Sequence, residues 1–167
     1  MTGSKNTSDQ KFTHLDQKTG NPSMVDVSQK QVTRRMAKAQ CKVVLVEEIL
    51  QSLSEDNDIR TKKGPVFQTA IIAGTMAAKK TADLIPLCHP LGLEDCRIEI
   101  TAVDEKEVSI TCTTTVTGKT GVEMEALTGA SVAALCVYDM CKALSQEIVI
   151  KEIKLVEKTG GKNDFKR

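Results

Sequence analysis

Residues 126–144 read ALTGASVAALCVYDMCKAL, and Asp139 and Lys142 are the only charged side chains in that run. Small and apolar residues all round a helix predict packing on more than one side, so this segment belongs inside a layered fold. Asp139 and Lys142 are three residues apart and project to one face. Burying a carboxylate and an ammonium is costly unless they are paired or have a chemical task. A structural ion pair and a catalytic pair both satisfy the spacing.

At 167 residues the chain is expected to form one domain with a real core. Its net charge of +1 gives no overall field to attract nucleic acid or a membrane surface. The aromatic side chains are Phe12, Phe67, Phe165 and Tyr138, with no Trp, which leaves no platforms for stacking bases. No N-terminal stretch has the pattern of a secretory signal. The longest charge-free stretch inside the apolar helix reads as too short, and too rich in Thr, Ser and Gly, to cross a bilayer. The six cysteines include no C-x-x-C pair, so zinc is not expected. They read as reduced thiols of a cytosol-like compartment, mostly small core residues.

Residues 1–22 are polar and read as a flexible lead-in, followed by one domain over 23–167 with a basic tail at 158–167. Within that domain the pattern predicts a short strand at 24–27, a strand at 34–46 and a short helix at 47–54. A charged loop ends at Gly64-Pro65, and a helix follows over 66–81. LIPLCHPLG is a loop stiffened by Pro86 and Pro90. Two β-rich runs at 93–103 and 107–117 read as a hairpin. TGKTG is a glycine turn, 122–144 the long helix and 148–157 the last strand. The order β-α-β-β-α-β, with an extra N-terminal strand and short helix, predicts an α+β fold of ferredoxin-like type, with two helices on one face of an antiparallel sheet. The other face then needs cover, from a second subunit if the chain supplies none.

Several groups fit acid–base chemistry or anion binding. Glu123 and Glu125 stand at the start of the long helix, where its dipole favours carboxylates. Glu125 shares a face with Asp139 but lies about 21 Å from it along the axis. One chain cannot unite the two ends: either only one end is active, or two chains packed antiparallel build the site between them. Cys88-His89 lies between prolines in PLCHP, so the backbone fixes where His89, a natural proton-transfer group, points. As adjacent residues in an extended loop, the two point apart, which disfavours a Cys–His nucleophile pair. Lys62-Lys63-Gly64 precedes a helix, Lys158 and Lys162 flank glycines, and Arg34-Arg35 is a third basic pair. Each can cradle an anion or simply be solvated. GKT at 118–120 is not a P-loop, because Thr113 occupies the required upstream glycine position.

The runs MVDVS at 24–28, LIPLCHPL at 84–91, TGKTGVEMEALT at 117–128, YDMCKA at 138–143 and the KTGGK tail at 158–162 resemble the molybdenum-cofactor biosynthesis protein C family. The resemblance covers the chain from about residue 24 onward. It implies a lyase, a cyclic pyranopterin monophosphate synthase, that converts 3′,8-cyclo-7,8-dihydroguanosine 5′-triphosphate into cyclic pyranopterin monophosphate and pyrophosphate. By match of motif it assigns Asp139, Lys142, Lys63 and His89 to catalysis. Cys88, Glu123, Met124, Glu125, Lys158, Arg35 and Lys162 become substrate contacts. It requires no cofactor and is compatible with Mg2+ on the triphosphate. It implies a hexamer built as a trimer of dimers with sites at the dimer interface, and a radical-SAM GTP cyclase upstream. The partners are thus a nucleotide-derived small molecule and other copies of the chain, not nucleic acid or membrane. The expected compartment is the cytoplasm, or the mitochondrial matrix for a chain processed from a longer precursor. Two departures stand out: Pro65 follows Lys63-Gly64 where the family often carries Asp, and the tail loop TGGKNDF looks one residue short.

Two other classes compete. A nucleic-acid-binding ferredoxin-like module would carry aromatics on its central strands, and these strands have none. A non-catalytic scaffold or ligand sensor explains the small-residue helix, but not its charges together with Lys63 and His89.

Overall fold

Strand β1, Thr33–Val44, alternates between two environments. Ala37, Ala39, Cys41 and Val43 are fully buried, and they pair with Thr114, Cys112, Ile110 and Val108 of β5, Glu107–Gly118. The intervening Lys38, Gln40 and Lys42 pair with Thr113, Thr111 and Ser109 on the opposite, polar face. An antiparallel sheet tolerates this arrangement, with one face on the core and one towards water. The computed structural model describes residues 15–16 and 19–167. The predicted flexible lead-in therefore falls largely outside the described residues.

Strand β4, Asp95–Ala102, pairs with β5, and β6, Val149–Thr159, pairs with the other side of β1. A short β7, Phe165–Lys166, closes a five-stranded antiparallel sheet of order β4-β5-β1-β6-β7. The tail therefore turns back onto β6, with Lys158 opposite Phe165, rather than trailing away as a basic end. Strand β6 carries register shifts against β1, and Glu152 adopts φ 55° there, the backbone signature of a bulge.

Helix α1 is Glu47–Leu50, α2 is Val66–Lys79, α3 is Thr81–Leu84 and α4 is Glu123–Cys141. Helices α2 and α4 pack on each other, with α4 across β1, β5 and β6 and α2 against β4. Glycine sets their approach. A Cβ on Gly74 would stand 2.6 Å from the Gly129 carbonyl oxygen, and one on Gly129 would stand 2.6 Å from Cys112 Sγ. The small-residue composition of α4 is thus a requirement of the crossing. By length and hydropathy alone α4 could cross a bilayer. Instead Ala126, Ala130, Ala133, Ala134 and Val137 are buried within the core.

Other expectations are corrected. Residues 24–27 form no strand: they run without ladder partners, and Lys119 Nζ donates to the Ser28 carbonyl at 2.6 Å just beyond them. The charged loop before α2 contains a two-stranded hairpin, β2 (Arg60–Thr61) with β3 (Gly64–Pro65). The helix expected over 47–54 ends at Leu50. The Asp139–Lys142 pair is not buried: both side chains are 54% exposed at the C-terminal end of α4.

Candidate active site

The C-terminal end of α4 gathers three side chains. Asp139 Oδ1 accepts from Lys142 Nζ at 2.8 Å, and Oδ2 accepts from Lys63 Nζ at 2.7 Å. Lys63 Nζ also reaches the Asp139 carbonyl at 3.1 Å. A carboxylate in the last turn of a helix stands at the negative end of the dipole, where it is disfavoured. Here hydrogen bonds from Lys142 and then Lys63 pull its pKa down to about 2. The same bond raises that of Lys142. Lys63 arrives from the turn of the β2–β3 hairpin, where its N–H donates to Thr61 Oγ1 at 3.2 Å and Gly64 takes φ 112°.

The N-terminal end of α4 opens into a cavity of about 380 Å³. Arg35, Cys88, His89, Glu123, Met124, Glu125, Lys158 and Lys162, all singled out from the sequence, line it. Glu123 Oε1 accepts from Lys158 Nζ at 3.0 Å. Arg35 Nε is anchored on the Gly118 carbonyl at 2.9 Å. Gly160 is needed for the turn of the tail: it has φ 79°, and a Cβ there would collide with the Arg34 carbonyl. Glu125 is only 4% exposed. Burial pushes its carboxyl upward, and the charge of Glu123 pushes it further. Burial, then Glu125, likewise raises the Cys88 thiol, so Cys88 is not an activated nucleophile.

Sequence reasoning missed Val25, Val27 and Lys30, which the N-terminal segment lays along the same cavity, and Asn163 from the tail. The signal for the first two was the MVDVS run, read as a strand. Within one chain the two groups stay apart. Lys63, Asp139 and Lys142 occupy one end of α4 and the cavity residues the other, separated by about 21 Å of helix.

The sequence model of the MoaC family matches residues 24–161. A cyclic pyranopterin monophosphate synthase of Xanthomonas campestris pv. campestris is 52% identical over 159 residues, covering 95% of each chain. A molybdenum cofactor biosynthesis bifunctional protein of Synechocystis sp. is 56% identical over 157 residues, 92% of this chain and 45% of that protein. Molybdenum cofactor biosynthesis protein 1 of Dictyostelium discoideum is 48% identical over 167 residues, 91% of this chain and 26% of that protein. The chain spans less than half the length of these last two relatives. With a family match across most of its length, and with near full-length identity to the Xanthomonas protein, the chain belongs to the MoaC family.

Proposed function

We propose that this chain is a cyclic pyranopterin monophosphate synthase acting in molybdenum-cofactor biosynthesis. It takes 3′,8-cyclo-7,8-dihydroguanosine 5′-triphosphate to cyclic pyranopterin monophosphate and pyrophosphate. The observation that carries the reading is the 52% identity to the Xanthomonas synthase across 95% of both chains. The site chemistry supports it. Ring opening and reclosure need proton transfers, which lysine, histidine and carboxylates supply without a redox cofactor. Forming the cyclic phosphate expels pyrophosphate, so cations must hold the developing charge.

In this reading Arg35, Lys158 and Lys162 hold the triphosphate, with Glu123 and Glu125 against the heterocycle and His89 moving protons beside them. Mg2+ enters only as a counter-ion of the triphosphate. Asp139 stays ionised at neutral pH, so it does not itself donate protons; it keeps Lys142 charged as the donor. Lys63 completes the centre from the hairpin.

The active unit we propose is a dimer in which α4 of one chain lies antiparallel to α4 of its partner. Met124, Ser131, Leu135 and Asp139 fall on one side of α4, which therefore presents an outward stripe running from one cluster to the other. On it Leu135 is 57% exposed, and Ile72 of the neighbouring α2 is 62% exposed. Covering this stripe with a second copy places the cavity of one chain beside Asp139 of the other. Three such dimers make the proposed hexamer, and a radical-SAM GTP cyclase supplies its substrate. The four long strands, in the order β4-β5-β1-β6 with α2 and α4 as crossovers, support the finer reading of the 23–167 domain as ferredoxin-like. A cytoplasmic location completes the proposal.

The test is incubation of the purified protein with the cyclic dihydro-GTP, following both products. Formation of both, lost in Lys142→Ala, is the expected result. A folded oligomer that forms neither is a ligand-binding relative, and the proposal fails.

A further inference from the structure

The turn that carries Lys63 is tied to α2 through one buried carboxylate. Asp58 is 2% exposed. Its oxygens accept from the backbone N–H of Phe67 at 2.7 Å and of Gln68 at 3.1 Å. Those donors belong to the first turn of α2, where a helix leaves N–H groups without internal partners. The N-cap position of α2 is Pro65, whose side chain makes no cap hydrogen bond. Asp58 thus supplies from outside the helix what the N-cap residue lacks.

The same stretch of backbone founds the hairpin. Ser54 Oγ donates to the Asp58 carbonyl at 2.6 Å, and Val66 N donates to the Ile59 carbonyl at 2.9 Å. Arg60 and Thr61 then pair with Pro65 and Gly64. Lys63 lies in the two-residue turn between those strands, and from there its ammonium reaches Asp139.

We propose that Asp58 is a positioning residue for Lys63: by capping α2 in place of Pro65, it fixes where the hairpin leaves the helix and so where the Lys63 ammonium stands. The inference rests on reading Lys63, Asp139 and Lys142 as a reaction centre.

The test uses the full chain in its native assembly, with Asp58→Ala, Asp58→Asn and the double variant Asp58→Ala/Pro65→Asp. Pro65 has φ −71° and ψ 127°, a backbone that suits Asp as an N-cap, so the double variant moves the cap onto the helix itself. Turnover is measured with kcat and KM separated. The Asp139 carboxyl is followed by carbon-13 NMR titration; the groups facing it are Lys63, Lys142 and the Cys136 thiol.

In Asp58→Ala we expect kcat to fall about a hundredfold with KM little changed, the scale of a displaced reacting group. The Asp139 midpoint should move upward as Lys63 leaves. Asp58→Asn, which keeps one acceptor, should fall between, and the double variant should restore both readouts. Wild-type kcat and midpoint in Asp58→Ala overturn the proposal. So does a double variant that recovers its melting temperature without recovering kcat and the midpoint. If wild type forms no product the functional reading fails, while the NMR comparison still decides whether Asp58 places Lys63.

Discussion

Lys63 and Asp139 are separated by 76 positions in the chain, yet the ammonium of one lies 2.7 Å from the carboxylate of the other. Because Lys142 holds the second carboxylate oxygen at 2.8 Å, Asp139 is saturated by cations on both sides. Asp139→Asn keeps the shape and removes the charge. We expect turnover to fall by roughly two to four orders of magnitude, the range of an acid–base step whose donor, Lys142, has lost its partner. The melting temperature should barely move, since exposed pairs contribute little to stability. In wild type the Asp139 carboxyl should titrate near 2, so whatever stability the pair gives is present above the ordinary carboxylate range and is lost as pH falls towards 2. NMR titration beside a thermal melt checks both.

Glu125 behaves in the opposite sense. Its folded pKa is raised by burial, so the folded state binds the proton more tightly than the unfolded chain does. Stability tied to that proton is present at low pH and lost as pH rises through the folded value. Glu125→Gln removes the ionisation. The variant should melt progressively higher than wild type as pH is raised, with the gap closing in acid. Paired thermal melts across pH read this directly, and a gap that stays constant with pH contradicts it.

Gly74→Ala places a methyl group 2.6 Å from a backbone oxygen of α4 and 2.5 Å from Ile98 Cδ1. The gain in helix propensity, about 1 kcal/mol, is set against overpacking that costs about 1–3 kcal/mol. We expect a net loss of stability in urea denaturation. A larger loss should follow from Gly74→Val, which adds branching at the same point.

Gly160→Ala tests the tail. The residue has φ 79°, and the added Cβ would meet the Arg34 carbonyl, so the turn that presents Lys158 and Lys162 must open. The expected signature is a higher KM with kcat less affected, because in the proposed function the tail holds phosphates and moves no proton. Steady-state kinetics with varied substrate separates the two.

Much of this was readable in the chain because period and composition report packing directly. The alternation in β1 and β5 marks the core face, and the Gly and Ala positions of α4 mark a close helix crossing. The separation of Glu125 from Asp139 follows from helix rise alone. What escaped depends on distant partners. Asp58 lies in a run of charged residues, and nothing local tells its buried cap from its solvated neighbours. Residues 24–27 have the alternation of a strand but lie along a cavity. The apolar neighbours of Asp139 point to the interior, yet its side chain faces outward in the last turn of the helix. Glu125, two positions from an ion-paired Glu123, turns inward, a difference visible only once the helix is docked.

In the dimer we propose, helix α4 is a ruler with half of a site at each end. Laid against its own copy in the opposite sense, it gives every site one end from each chain, so a lesion at one end of one chain spoils one site and spares the other. Two inactive variants, one altered at Lys142 and one at Lys158, should therefore rescue each other when mixed. In such a mixed dimer both lesions fall in one site and the other is whole. Inserting one residue into α4 would rotate Asp139 by about 100° relative to Glu123 and leave neither site whole.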